Sequence, residues 1–395
     1  MGTVDRRGFL KTSAIGASAA VLSSSGVFSS APVAGIAGRW MRQQKKEKKL
    51  ITRWLGKTGI ELPVVSMGVM RADNPELVRT ALAAGMRHLD TAHGYMEGNN
   101  ESMLGEVLKD YPRDSFVIST KVPPMDGKSF LETLDVSLRR LRMDHVDILY
   151  LHGPSDVSAV SDPGILDALR KAKSSGKARH LGVSTHRNEP EFIRAAVLTG
   201  VYEVVLTSVN FRQDHYAEVR KAMAEAVAAG LGIIGMKTMA GGFYDRDRTK
   251  PVNCKAALKW VLQDPNLTTT IPGMTTFEML KENASVNEDI TLTDEEKASL
   301  AFAPPGGGLY CQGCGHCDGA CPRHLPIPEI MRAYMYTYGY GAPRSARSLL
   351  TGRSLTADPC AGCPSCTATC PKGFEIRERI RDVSRLVEVP EEFLS

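Results

Sequence analysis

The sequence predicts an α/β chain: a (β/α)8 barrel over residues 51–303, followed by a mostly helical, cysteine-bearing domain over 306–395. Three observations predict it. Eight short β-branched apolar runs alternate with helical patterns from about Ile51 to Val286. The run Pro304-Pro305-Gly306-Gly307-Gly308 then breaks the chain and marks a domain boundary. Beyond it, eight of the nine cysteines fall in two runs of identical spacing.

The chain of 395 residues is 43% hydrophobic, enough to bury full cores in two domains. Its formal charge of +5 is uneven: residues 1–53 carry ten Lys/Arg against Asp5 and Glu47, a net of +8, which leaves the rest near −3. That balance offers no basic face for nucleic acid.

At the N-terminus, DRRGFLK (5–11) precedes a stretch rich in Ala, Ser and Gly from Thr12 to about Val27. It is similar to a twin-arginine export signal, with Asp5 where Ser or Thr is usual. The apolar stretch is too weakly hydrophobic for a comfortable membrane span, and a chance Arg-Arg in a tail is the plainer alternative. Gly35-Ile36-Ala37 offers the small residues a signal peptidase reads, so the expected signal is 1–37, with a basic linker over 38–50 that is solvated or touches anionic lipid. The expected location is periplasmic or extracytoplasmic after passage through the twin-arginine translocase, with membrane association if the signal stays uncleaved.

The barrel strands are read at VVSMGV (64–69), RHLDTA (87–92), FVISTKV (116–122), VDILYLHG (146–153), ARHLGVS (178–184), VVLTSVN (204–210), LGIIGMK (231–237) and TTTIPGM (268–274). Amphipathic stretches such as 129–143 and 216–230 lie between them. Such a TIM-type barrel carries its chemistry at the carboxyl ends of its strands. Asp90 closes the second strand and Tyr95 follows on its loop; Lys121 ends the third and His152 the fourth. Cys254, in an apolar-periodic segment, reads as a small buried hydrophobe.

LDTAHGY (89–95), STK (119–121) and LYLHG (149–153), in this order, resemble the aldo/keto reductase family, whose tetrad is Asp, Tyr, Lys and His. The resemblance implies that Asp90, Tyr95, Lys121 and His152 act on a small-molecule carbonyl or alcohol. A lone tyrosine or strand-end lysine is ordinarily packing or rim; four in register point to chemistry. A phenol near pKa 10 is a poor proton donor or acceptor at neutral pH, and an adjacent ammonium shifts it towards use. The expected roles are Lys121 doing this, Asp90 holding Lys121, and His152 hydrogen-bonding the carbonyl oxygen.

The same resemblance implies NADP(H) or NAD(H), with Ser184 and Asn210 at the carboxamide, Lys237 beside the nicotinamide, and Gly273 and Asn283 towards the adenosine end. Departures weaken that expectation. Thr185-His186 follow Ser184, Met236 stands where an aromatic usually stacks, and Met274 and Met279 replace cations that pair with a 2′-phosphate, leaving Lys281.

TDEEKASLA (293–301) opens with a capping-box pattern and predicts a helix packed on the barrel. CQGCGHCDGACP is then answered by CAGCPSCTATCP, both spaced C-x2-C-x2-C-x3-C-P. Three thiolates on a tight loop grip three corners of an iron–sulfur cube, and the fourth turns to the neighbouring cube. Crossed ligation is therefore expected: Cys311, Cys314, Cys317 and Cys370 on one [4Fe-4S] cluster, Cys360, Cys363, Cys366 and Cys321 on the other. Zinc, which usually takes two separated ligand pairs, and disulfides are the alternatives. The stretch resembles dicluster bacterial ferredoxins, but its long tyrosine-rich spacer (327–341 and on to Arg353) and closing amphipathic segment (375–389) predict a helical ferredoxin-like module.

Iron–sulfur cubes assembled inside the cell and an export route that carries folded cargo support one another. The resulting expectation is an exported iron–sulfur oxidoreductase interconverting a carbonyl and an alcohol, with a redox partner protein. The alternative is an electron-transfer subunit whose barrel is a docking scaffold. Hydride chemistry moves two electrons together and cubes pass them singly, so a nicotinamide bridges the two poorly.

Overall fold

The computed structural model describes residues 49–301 and 310–394. The expected signal, the basic run as far as Lys48 and the Pro-Gly break fall outside the described residues. Among the described residues no helix is long and apolar enough to cross a membrane.

A hairpin comes first, β1 (Thr52–Trp54) antiparallel to β2 (Glu61–Pro63). Eight parallel strands follow: β3 (Met67–Gly68), β4 (His88–Asp90), β5 (Val117–Val122), β6 (Val146–His152), β7 (Ala178–Thr185), β8 (Val204–Ser208), β9 (Gly232–Met236) and β10 (Thr269–Thr270). They pair in sequence order from β3 to β10. Parallel bridges Val65↔Thr270 and Gly68↔Gly273 join the first strand region to the last and close the barrel. Every expected strand is present, each within the stretch that predicted it or a residue beyond.

The intervening helices are α1 (Pro75–Ala83), α2 (Asn99–Leu108), α3 (Gly127–Leu141), α4 (Pro163–Ser174), α5 (Glu189–Thr199), α6 (Tyr216–Ala229), α7 (Cys254–Leu262) and α8 (Phe277–Ser285). Their starts are set by side chains that satisfy the free N–H groups of a first turn: Asp126 accepts from Lys128 and Ser129, and Asp162 from Ile165. The capping box expected at Thr293 forms with Glu296 and opens α9 (Asp294–Leu300), whose Leu300 packs with Val252, Ala256 and Ala257.

Two apolar layers result. One lies between strands and helices, with residues such as Leu89, Phe130 and Ile193. The other fills the barrel, where Val117, Ile148, Tyr150, Leu206 and Ile234 meet Leu55 and Leu62 of the hairpin region, which closes the amino-terminal end. Tyr150 fits only because β7 carries a glycine opposite: a Cβ on Gly182 would stand 2.4 Å from its ring. Cys254, expected to be buried, is half-buried at the first position of α7, where its thiol meets the Val252 carbonyl at 3.5 Å.

The C-terminal domain contains α10 (Ile327–Tyr338), α11 (Pro343–Thr351) and α12 (Ile376–Ser384), the last ending the expected closing segment in a 3-10 turn at Arg385–Glu388. Its core joins Ile330, Met335, Leu350, Ile380 and Val383, with Cys311, Cys317, Cys321 and Cys370 packed against it.

This domain sits on the barrel's carboxyl-terminal mouth. The Asn188 amide donates to the Gly313 carbonyl at 2.9 Å. Gly313, at φ +74°, lies so close that a Cβ would stand 2.6 Å from the His186 carbonyl oxygen. Ion pairs Arg187–Asp318 (3.0 Å), Arg246–Asp382 (3.0 Å) and Lys372–Asp214 tie the rim. The tyrosine-rich helix faces both ways: Arg246 lies 4.0 Å over the Tyr338 ring, and Tyr336 stacks on Tyr340.

Candidate functional site

Parallel register places the ends of β4, β5 and β6 side by side, with Asp90 opposite Ser119, Lys121 opposite Tyr150 and His152 opposite Ser184. Ser119 and Lys121 alternate onto one face of β5, and both reach Asp90. Lys121 Nζ donates to Asp90 Oδ2 at 2.5 Å and to the Thr91 carbonyl at 2.6 Å. Ser119 Oγ donates to Asp90 Oδ1 at 2.7 Å and meets His88 Nε2 at 3.0 Å. Asp90 and Lys121 are 2% and 1% exposed, so each depends on the other for its charge.

Tyr95 opens a short turn after β4, fixed by main-chain bonds from Tyr95 N to the Ala92 carbonyl and from His93 N to the Lys121 carbonyl, each 3.1 Å. Its ring meets Lys121 Nζ at 4.9 Å from the centroid and stands edge-on to His152 at 5.9 Å. The four expected residues are thus brought together.

The electrostatics differ from expectation in one respect. Burial pushes the Tyr95 hydroxyl well above an ordinary phenol, Asp90 and Tyr336 add to the rise, and the charge that opposes it is Arg332. Burial also lowers Lys121, against the pull of Asp90, and drives His152 well below the usual imidazole value, with Lys121 and Arg332 adding. At neutral pH this is a protonated phenol beside a neutral imidazole.

Next to the tetrad, a small cavity lies between the domains. His186, Arg187 and Lys237 wall it from the barrel, and Cys311, Glu329 and Arg332 from the dicluster side. Sequence reading missed Arg332 and Tyr336. Their signal was available: Glu329, Arg332 and Tyr336 recur at helical spacing along one face of α10, an otherwise apolar helix.

The residues expected at a nicotinamide are scattered in role. Ser184 Oγ accepts from Gly153 N at 2.8 Å and donates to the Leu151 carbonyl at 3.3 Å. Asn210 Oδ1 accepts from Arg212 N at 2.9 Å. Gly273 takes part in barrel closure opposite Gly68, Asn283 is buried in α8, and Lys237 lines the cavity.

The cysteines of the two runs lie close enough for their thiols to act on one another. Burial pushes the Cys311 thiol up to about 11, and Cys314 and Cys370 are the thiols acting on it; burial likewise pushes Cys317 to about 12, with Cys311 and Cys314 adding. Cys360 is raised by burial, with Cys366, Cys321 and Cys363 among the groups that add. Cys321, Cys360, Cys363 and Cys366 also line one small cavity with Leu325 and Ile380. Among the described residues no three His, Cys, Asp or Glu side chains converge on a single point as one metal ion requires.

Comparison with known proteins agrees with both parts. Residues 65–256 match the aldo/keto reductase family and residues 310–375 the 4Fe-4S dicluster domain. The chain is 28% identical over 255 residues to methylglyoxal reductase DkgB of Salmonella typhi, covering 61% of this chain and 92% of that protein. It is 24% identical over 331 residues to L-glyceraldehyde 3-phosphate reductase of Escherichia coli O157:H7, covering 66% and 94%. Among solved structures it resembles an aldo-keto reductase of Bacillus halodurans in its holo form (TM-score 0.55, 21% identity, 64% of this chain and 95% of that one). A second is an aldo-keto reductase of Klebsiella pneumoniae solved with NADPH (TM-score 0.53, 21% identity, 65% and 95%).

Proposed function

We propose that this aldo/keto reductase-like oxidoreductase, which carries a 4Fe-4S dicluster domain, interconverts a carbonyl and an alcohol at the barrel mouth beneath that domain. One placement carries the reading: Lys121, Asp90, Tyr95 and His152 assemble at the strand ends beside a cavity whose far wall holds Cys311. Tyr95 exchanges the proton at the substrate oxygen; its raised pKa keeps that proton in place until a developing alkoxide takes it. Neutral His152 hydrogen-bonds the same oxygen. Asp90 keeps Lys121 charged and aimed at the Tyr95 ring.

The cysteine groupings fit two cubes, Cys311, Cys314, Cys317 and Cys370 holding one and Cys360, Cys363, Cys366 and Cys321 the other. Carbonyl and alcohol differ by two electrons and two protons, and when bound the pair of clusters supplies exchange of that electron pair one at a time. Three features argue against a nicotinamide in this pocket. The Ser184 hydroxyl is engaged by Gly153 and Leu151, Met236 gives no aromatic platform, and Arg332 of α10 walls the adjoining cavity. No step here is routed through one.

The test is Tyr95→Phe in the iron-loaded protein, assayed by dye-linked turnover without added nucleotide. Activity falls by roughly 10²–10⁴-fold while both cluster spin signals persist. Unchanged turnover would return the barrel to the role of a docking scaffold for a redox partner protein.

Export by the twin-arginine route, to a periplasmic or other extracytoplasmic site, is part of the same proposal and rests on DRRGFLK and on the need to move folded, cluster-bearing cargo. Replacing Arg6 and Arg7 by lysine should strand the loaded protein in the cytoplasm; equal recovery of both forms outside would refute it.

A further inference from the structure

The cavity between the domains holds more positive charge than its surroundings balance. Arg187 pairs with Asp318 at 3.0 Å and Glu329 at 3.6 Å, and Glu329 also faces Arg353 at 4.0 Å; Glu329 Oε2 has no hydrogen-bond partner, and its charge acts on Lys237 as well. Lys237 and Arg332 line the same cavity and have no ion-pair partner among the described residues. Arg332 Nε and His186 Nδ1 are both buried without a hydrogen-bond partner. Nearby carboxylates are already committed, Asp90 to Lys121 and Glu189 to His215.

Lys237 and Arg332 are each half-buried, and unpaired cations drawn out of water are costly; a fold that gathers two of them with a buried, unfilled guanidinium nitrogen is built for a counter-charge that arrives from outside. We propose that Arg332 and Lys237 form an oxyanion-binding subsite, so that the substrate is a carbonyl or alcohol compound that also bears a carboxylate or a phosphate. The substrate clause rests on the reading given above; the anion site does not.

Three features support the assignment. A guanidinium presents a planar fork that matches carboxylate and phosphate oxygens. Arg332 is near enough to the tetrad that its charge acts on Tyr95, His152, His186 and Lys237, so an anion held there lies within electrostatic reach of the reacting groups. Burial, with Arg332 next, lowers the Lys237 ammonium to about 7, a loss that a bound anion would reverse. The competing use of these charges is to offset a cluster on Cys311, whose thiol also feels Lys237.

The experiment is calorimetric titration of the anaerobic, iron-loaded full chain with oxalate and with inorganic phosphate. At least one binds, and the one that does distinguishes a carboxylate substrate from a phosphate. Arg332→Gln and Lys237→Met each weaken that binding tenfold or more, and Arg332→Lys weakens it less than Arg332→Gln. Tyr95→Phe binds the anion as the parent does, so failure of the catalytic reading and failure of this one are separately visible. The proposal is overturned if neither anion binds, or if binding survives Arg332→Gln undiminished in a variant with full iron content. It is also overturned if that variant shifts a cluster potential while anion affinity holds, or if NADPH displaces the anion and itself depends on Arg332.

Discussion

The barrel and the dicluster domain reach a stable interior by different means. The barrel closes an apolar layer around its sheet, fills its own lumen and caps its helices, with Leu89, Phe130, Ile148 and Tyr150 fully buried. The dicluster domain has a smaller core, and five of its cysteines are part of the packing. A core built around metal ligands draws part of its folding free energy from the metal. The barrel should therefore stand without iron and the smaller domain should not, although that domain supplies one wall of the cavity.

The largest effect expected from this contrast follows removal of cluster ligands. Cys370→Ser should lose the same cluster as Cys311→Ser, and Cys321→Ser the same as Cys360→Ser, each halving the iron content. Limited proteolysis should then cut within 310–394 and spare 49–301. Loss of different clusters within either pair would break the crossed assignment, and an iron-free domain resistant to protease would break the contrast itself.

On the barrel side the largest single effect is Lys121→Met, which leaves Asp90 buried without its counter-charge and should cost about 3–5 kcal/mol in denaturant unfolding. Cluster content should not change. A cost below ~1 kcal/mol would contradict a buried Asp90–Lys121 pair that depends on both partners.

The seam between the two regions can be tested alone. Gly313→Ala places a Cβ against the His186 carbonyl at a left-handed backbone position and should cost about 1–3 kcal/mol. Both clusters should remain, while activity falls as the wall carrying Arg332 withdraws. Wild-type activity in that variant would show that the docked arrangement is dispensable.

A further effect is with pH. Burial lowers His88 to about 4, and His152 and His186 lie well below their ordinary value. Below pH 6.5 the unfolded chain binds protons that the folded chain refuses, so stability falls as pH drops. The His88 share is lost down to about pH 4, and nothing is lost above 6.5. Each such histidine contributes up to about 1.4 kcal/mol per pH unit. Thermal unfolding that is flat between pH 7.5 and 5 would contradict these burials.

Much of this was legible in the chain. The eight strands announced themselves by β-branched runs, Thr293 and Glu296 by their spacing, and the cysteines by theirs. The hairpin at 52–63 was not read, because its strands of three residues are too short to show alternation. Ser184 was read from the resemblance as a cofactor contact, yet its hydroxyl is spent on neighbouring main chain, a choice made by where Gly153 and Leu151 come to lie.

Periodicity, capping and ligand spacing are local properties, and they determined the barrel, the order of Asp90, Tyr95, Lys121 and His152 along it, and the two cysteine runs. How the second domain sits on the first was decided only by tertiary structure. The contact of Gly313 with the β7 loop, the entry of Arg332 into the cavity beside Lys237, and the upward shift of Tyr95 all depend on it. Charge and desolvation act through space, between side chains that no sequence interval relates.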